Sequence, residues 1–146
     1  RSRIGAYFEG GSLTEGLKST VISFGYKYGL PLDADIVLDV RFLPNPFWVD
    51  GLRELSGLEQ RVRDYVLGQD GARAFLEHAR ELFALVLPGF QEEGRHYLTV
   101  AVGCTGGLHR SVVLAEELGA FIRSQGFAAK VIHRDINRDP RPTPET

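Results

Sequence analysis

A chain of 146 residues with 43% hydrophobic and 25% charged side chains has room for one compact domain with a real core and not for two. Its net charge of −2 excludes a global electrostatic argument for nucleic acid or an anionic membrane, so any basic surface must be local. A single cysteine, Cys104, excludes an internal disulfide. No run is apolar enough to span a bilayer and no leader pattern is evident, so a cytoplasmic protein is expected.

Taken in chain order, residues 1–16 carry four glycines without clean periodicity and read as a linker or tag remnant. The chain also contains no Met, which reads as an excised or processed domain. Ser19–Phe24 is β-branched and aromatic, bounded by Gly25, and predicts a first strand. Gly25 to Pro31 is a turn-rich connection. Ile36–Val40 predicts a second, buried strand. In Arg41–Trp48 two prolines disfavour a helix, and the aromatics Phe42, Phe47 and Trp48 read as core, as a ligand wall or as a partner surface.

Two amphipathic helices are expected next. One carries Leu55, Leu58, Val62, Tyr65 and Val66 on one face and ends at Gly68. The other runs from Ala72 to Val86, with Pro88-Gly89 as its stop. Tyr97–Val102 predicts a third strand, residues 109–124 a third helix, and Ala128–His133 a last strand. Asp135 to Thr146 is polar with three prolines and predicts a disordered tail. The ordering is that of an α/β protein: one domain with a small, mostly parallel sheet and helices on its faces.

Between the third strand and the third helix lies Gly103-Cys104-Thr105-Gly106-Gly107-Leu108-His109-Arg110-Ser111. A strand feeding a glycine-rich turn into a helix is an anion site in waiting, because the first helical N–H groups lack partners and carry partial positive charge. Lys27, Asp39, Arg41 and His133-Arg134 also fall just past strand ends, where α/β sheets hold ligands. Thr105, Gly106, Gly107, His109, Arg110 and Ser111 are therefore candidate phosphate donors, with Lys27 and Arg41 as further cations. Arg41 reads equally as a salt-bridge partner of Asp39. Lys27, between Tyr26 and Tyr28, reads as a sugar or base contact or as loop packing. His109 offers a donor or a pH-dependent cation.

The loop also fits Cys-x-x-Gly-x-x-Arg-Ser and so resembles that of cysteine-dependent phosphatases, with Cys104 as nucleophile. Gly103 stands where those enzymes usually carry His, and no loop presents an acid, so binding without turnover is the leading expectation. His133-Arg134-Asp135 is no kinase loop, since Pro140 occupies the position that needs Asn. There is no Walker loop, and the four histidines and one cysteine show no metal-ligand spacing, so neither cofactor nor metal is expected.

Longer stretches carry a resemblance. Ser23-Phe24-Gly25-Tyr26-Lys27-Tyr28-Gly29, Ala34-Asp35 through Asp39-Val40-Arg41-Phe42-Leu43-Pro44-Asn45-Pro46, Gly103 to Ser111 and His133-Arg134-Asp135 look like the C-terminal domain of the RapZ/YvcJ family, over about residues 19 to 138. The domain is accordingly drawn as residues 17–138, with 139–146 as tail. The resemblance implies a bacterial cytoplasmic regulator whose full-length members add an N-terminal, nucleotide-hydrolysing P-loop domain. It implies a homo-oligomer that senses glucosamine-6-phosphate without turnover and serves as an RNase adaptor for small RNA. The RNA-binding branch ends in a Lys-rich tail. Asn137 to Thr146 instead sets Arg138 and Arg141 against Asp139 and Glu145, which gives little counterion-release drive.

Overall fold

A computed structural model of the chain describes residues 16–138; the expected linker up to residue 15 and the tail from 139 lie outside the described residues. β-Branched residues build β1 (Lys18–Gly25), which runs into a 3-10 turn at Tyr26–Tyr28. Then come β2 (Ile36–Asp39), a second 3-10 turn at Pro46–Trp48, α1 (Gln60–Leu67), α2 (Asp70–Glu92), β3 (Tyr97–Cys104), α3 (Arg110–Ser124) and β4 (Ala128–His133). The strands form one all-parallel sheet in the order β2-β3-β1-β4.

Register fixes what meets at the top of the sheet. Gly25 at the end of β1 lies opposite Cys104 at the end of β3, and Ser23 lies opposite His133 of β4. The chain leaving β1 passes to one edge of the sheet, through β2. The chain leaving β3 crosses to the other edge, through α3 and β4. The paired ends of β1 and β3 are thus a topological switch point, where such sheets open a crevice.

All three helices share one core with one sheet face. Val21, Leu98, Val100, Val102 and Cys104 from the strands pack with Val62, Val66, Leu76, Phe83, Leu87, Leu114, Leu118 and Ile122 from the helices. Each large apolar side chain withdrawn from water here contributes about 1.5–3 kcal/mol. At Gly119 a Cβ would stand 2.4 Å from Val131, so α3 rests directly on β4. On the opposite face Val37 and Ile132 remain 44% and 41% exposed, and the expected single α/β domain with a small parallel sheet and flanking helices is what forms.

The departures have local causes. β2 is an edge strand with alternating exposure and not the buried strand its apolar run predicts. Phe42 and Trp48 are 62% and 55% exposed, so the aromatic loop does not tuck under the sheet. The first helix starts at Gln60 and leaves Leu55 and Leu58 in turns. There the Ser56 hydroxyl accepts from Leu58 N–H at 3.1 Å, and Gly57 N–H donates to the Leu108 carbonyl at 2.8 Å. α2 continues past Pro88 to Glu92, because Leu87 is fully buried, Phe90 packs on the core, and Gln91 Oε1 accepts from Leu17 N–H at 3.0 Å. Tertiary anchors there outweigh one missing backbone donor.

Candidate functional site

The loop after β3 is shaped by close backbone packing. A Cβ on Gly25 would stand 2.4 Å from the carbonyl carbon of Gly106, and one on Gly107 would stand 2.7 Å from Gly25 nitrogen. Gly107 also has φ of +80°, a conformation that side-chain-bearing residues rarely adopt. The β1 end therefore forms the floor of the Thr105–Gly107 turn, and Lys27 N–H donates to the Thr105 carbonyl at 3.2 Å. On its other side the turn is open, with nothing within 4 Å of the position a Gly106 Cβ would take.

The side chains that follow turn inward. Arg110 is 1% exposed; its Nη1 donates to the carbonyls of Arg41 at 2.9 Å and Leu43 at 2.8 Å. Its Nη2 reaches Thr105 Oγ1 at 3.4 Å, and its buried Nε has no hydrogen-bond partner. Burial lowers the guanidinium pKa from its ordinary value, opposed by neighbouring Cys104 and Asp39. Arg110 thus carries the β2 exit loop against the turn. Cys104 is 2% exposed, and its Sγ donates to the buried Ser111 Oγ at 3.1 Å.

His109 is buried as well, with Nε2 at 3.0 Å from the Arg53 carbonyl. A carbonyl only accepts, so Nε2 carries the proton. Burial pushes the imidazole pKa down against the opposing backbone hydrogen bonds. The neutral ring fastens the segment before α1 to the start of α3, a different task from a cation beside a phosphate. Of the residues singled out in the sequence, Lys27 and Arg41 are exposed and Thr105 and Gly106 half-buried, whereas Gly107, His109, Arg110 and Ser111 are buried in the scaffold.

The rim is cationic and aromatic. Arg41 stacks on Tyr26 at 3.7 Å and pairs with Asp39 at 2.7 Å. The hydrogen bond from Arg41 holds the Asp39 carboxyl below its usual range, while burial and the Asp39 charge raise the Tyr26 phenol. Tyr28 has Lys27 Nζ at 5.2 Å and the Arg138 guanidinium at 4.9 Å from its centroid. Such contacts hold cations in place at a modest cost in desolvation.

Sequence reasoning missed Asp135, assigned to a disordered tail. Its carboxylate is the one buried acidic group among the described residues. Oδ2 accepts from Gly25 N–H at 2.8 Å and from Arg134 Nη2 at 2.8 Å; Oδ1 accepts from Nε of Arg134 and of Arg138, each at 3.0 Å. The signals were its position directly after a strand end and its place in the His133-Arg134-Asp135 stretch of the family resemblance. Behind the turn, His133 shares a 2.7 Å hydrogen bond with the buried Ser23 hydroxyl through Nδ1 and another 2.7 Å bond with Glu116 through Nε2. Among the described residues no group of three or more His, Cys, Asp or Glu is placed to hold a metal ion, and no helix is long and apolar enough to cross a membrane.

A small all-parallel sheet with a glycine-built turn at its switch point makes the chain a single α/β domain. More narrowly, the RapZ C-terminal domain model matches residues 17–137, and the chain belongs to that family. It is 55% identical over 123 residues to a nucleotide-binding protein of Thermobifida fusca, covering 84% of this chain and 42% of that one. Over 131 residues it is 56% identical to a nucleotide-binding protein of Mycobacterium leprae, covering 89% and 44%. One from Streptomyces coelicolor matches at 51% over 139 residues, covering 95% and 46%. The chain thus spans less than half the length of these relatives.

Proposed function

We propose that this RapZ-type regulatory domain seats a phosphate ester of the glucosamine-6-phosphate kind on the Thr105–Gly107 turn and senses it without turnover. The observation that carries this reading is the asymmetry of the turn: closed by backbone on the Gly25 side, open at Gly106. Backbone packed so closely exposes peptide groups that no side chain screens, the arrangement that anion-binding concavities use. Arg41 and Lys27, held on the faces of Tyr26 and Tyr28, supply the flanking charge. The inward commitments of Arg110 and the burial of Cys104 favour binding over phosphoryl transfer. In the longer protein, the remaining length is the nucleotide-binding part, to which this domain reports.

Calorimetry with glucosamine-6-phosphate tests the reading. Gly106→Ala puts a methyl group into open space without touching the protein, so the thermal midpoint stays put while affinity falls about tenfold or more, roughly the loss of one charge-assisted hydrogen bond. Unchanged affinity in that variant, or no heat from the wild type with any sugar phosphate, overturns it. Phosphate release from an aryl phosphate that disappears in Cys104→Ser would replace it with the phosphatase reading.

A further inference from the structure

We propose that Asp135 joins the C-terminal strap, residues 133–138, to the Thr105–Gly107 turn as one cooperative unit, so that occupancy of the turn governs how firmly the strap is held. The ligand half of this statement rests on the function proposed above; the coupling itself does not.

The strap is anchored to the turn's floor. Arg134 N–H donates to the Ser23 carbonyl at 3.0 Å, and its Nη2 reaches the Gly29 carbonyl at 2.6 Å. Arg138 N–H donates to the Asp135 carbonyl at 3.2 Å. The Asp135 carboxylate then takes the Gly25 N–H, which β1 would otherwise leave unpaired at its end, together with both arginines. Its Cβ lies 3.0 Å from where a Gly107 Cβ would stand, the same point that is 2.7 Å from Gly25 nitrogen. Three backbone segments therefore meet at Asp135, the β1 end and the strap through its carboxylate and the turn against its Cβ, with no room for a side chain on Gly107. None can move while the others keep these contacts. An anion that fixes the turn thereby fixes the strap, and by linkage a fixed strap favours the anion.

The coupling is read from amide hydrogen exchange on the whole chain at two reporters: Lys27 N–H, bonded to Thr105, for the turn, and Arg138 N–H for the strap. Asp135→Asn keeps the side chain's shape and removes its charge. Arg138→Gln loosens the strap from the solvent side and leaves the carboxylate in place. In either variant both reporters exchange about tenfold faster while amides in the middle of α2 keep their protection, the mark of one local opening unit. Acceleration of Arg138 with Lys27 unchanged overturns the proposal. Equal acceleration in α2 also overturns it, because Asp135 would then be a general stabiliser. Saturating inorganic phosphate slows both reporters in the wild type; slowing of Lys27 alone overturns the ligand-linked half. No phosphate effect on any amide sinks the ligand reading, and the two variants still decide the coupling.

Discussion

At the scale of single residues, burial settles which polar groups build and which receive. Asp135 is the clearest case. Burial alone would push its carboxyl up, but hydrogen bonds from Arg134, Gly25 and Arg138, with the Arg134 charge, hold it below the ordinary Asp value. A folded-state pKa below the unfolded one means a contribution that is complete above about pH 4 and is lost as pH falls through the folded value. Acid unfolding followed by circular dichroism should therefore show wild type clearly more stable than Asp135→Asn at pH 7, by about 1–3 kcal/mol, with the gap narrowing below about pH 4. A gap that widens on acidification would mean that the carboxylate is not the stabilising form. Gly107 makes the complementary point, since its φ and its contact with Gly25 exclude any side chain.

At the scale of elements, β1, β3, α3 and β4 were legible because period and boundary agreed: β-branched runs closed by Gly25 or the Gly103–Gly107 stretch, and a helical stripe of Leu114, Leu118 and Ile122. Ile36-Val37-Leu38 misled because a short apolar run looks the same at a sheet's centre and at its edge. Pro88 misled because local propensity knows nothing of the anchors at Leu87 and Gln91. Pro88 is exposed, so Pro88→Ala restores a backbone donor without repacking the core. It should stabilise the domain by about 1–2 kcal/mol, less than the full helix-interior cost of Pro because the variant's unfolded chain is freer. Thermal unfolding checks this; a lower midpoint would show that the proline shapes the last turn. Of the candidate site, the turn itself was readable, whereas the inward commitment of Arg110 depends on two carbonyls 67 or more residues away.

At the scale of the molecule, a net charge of −2 coexists with a cationic end of the sheet. Lys27, Arg41, Arg134 and Arg138 gather there against the carboxylates of Asp39 and Asp135. If this end also meets small RNA, as the family resemblance implies, four cations against two carboxylates leave a local net charge of about +2. The logarithm of affinity against the logarithm of salt should then fall with a slope of about −1.5. Filter binding across salt concentrations measures it. A slope steeper than about −3 would place the phosphate contacts elsewhere, and a flat line would remove phosphate-led recognition altogether.

The bridge from Ser23 through His133 to Glu116 sets a direction for protons under the sheet's end. A carboxylate has lone pairs only, so the imidazole proton sits on Nε2 and faces Glu116. In the neutral ring Nδ1 is then an acceptor, and the Ser23 hydroxyl must spend its one hydrogen on it. That hydroxyl has no donor left for anything else, and its oxygen is sealed within the core. The motif has the membership of a hydrolytic triad and the opposite polarity of access: its acid faces solvent, while its serine, the would-be nucleophile, is the most hidden member.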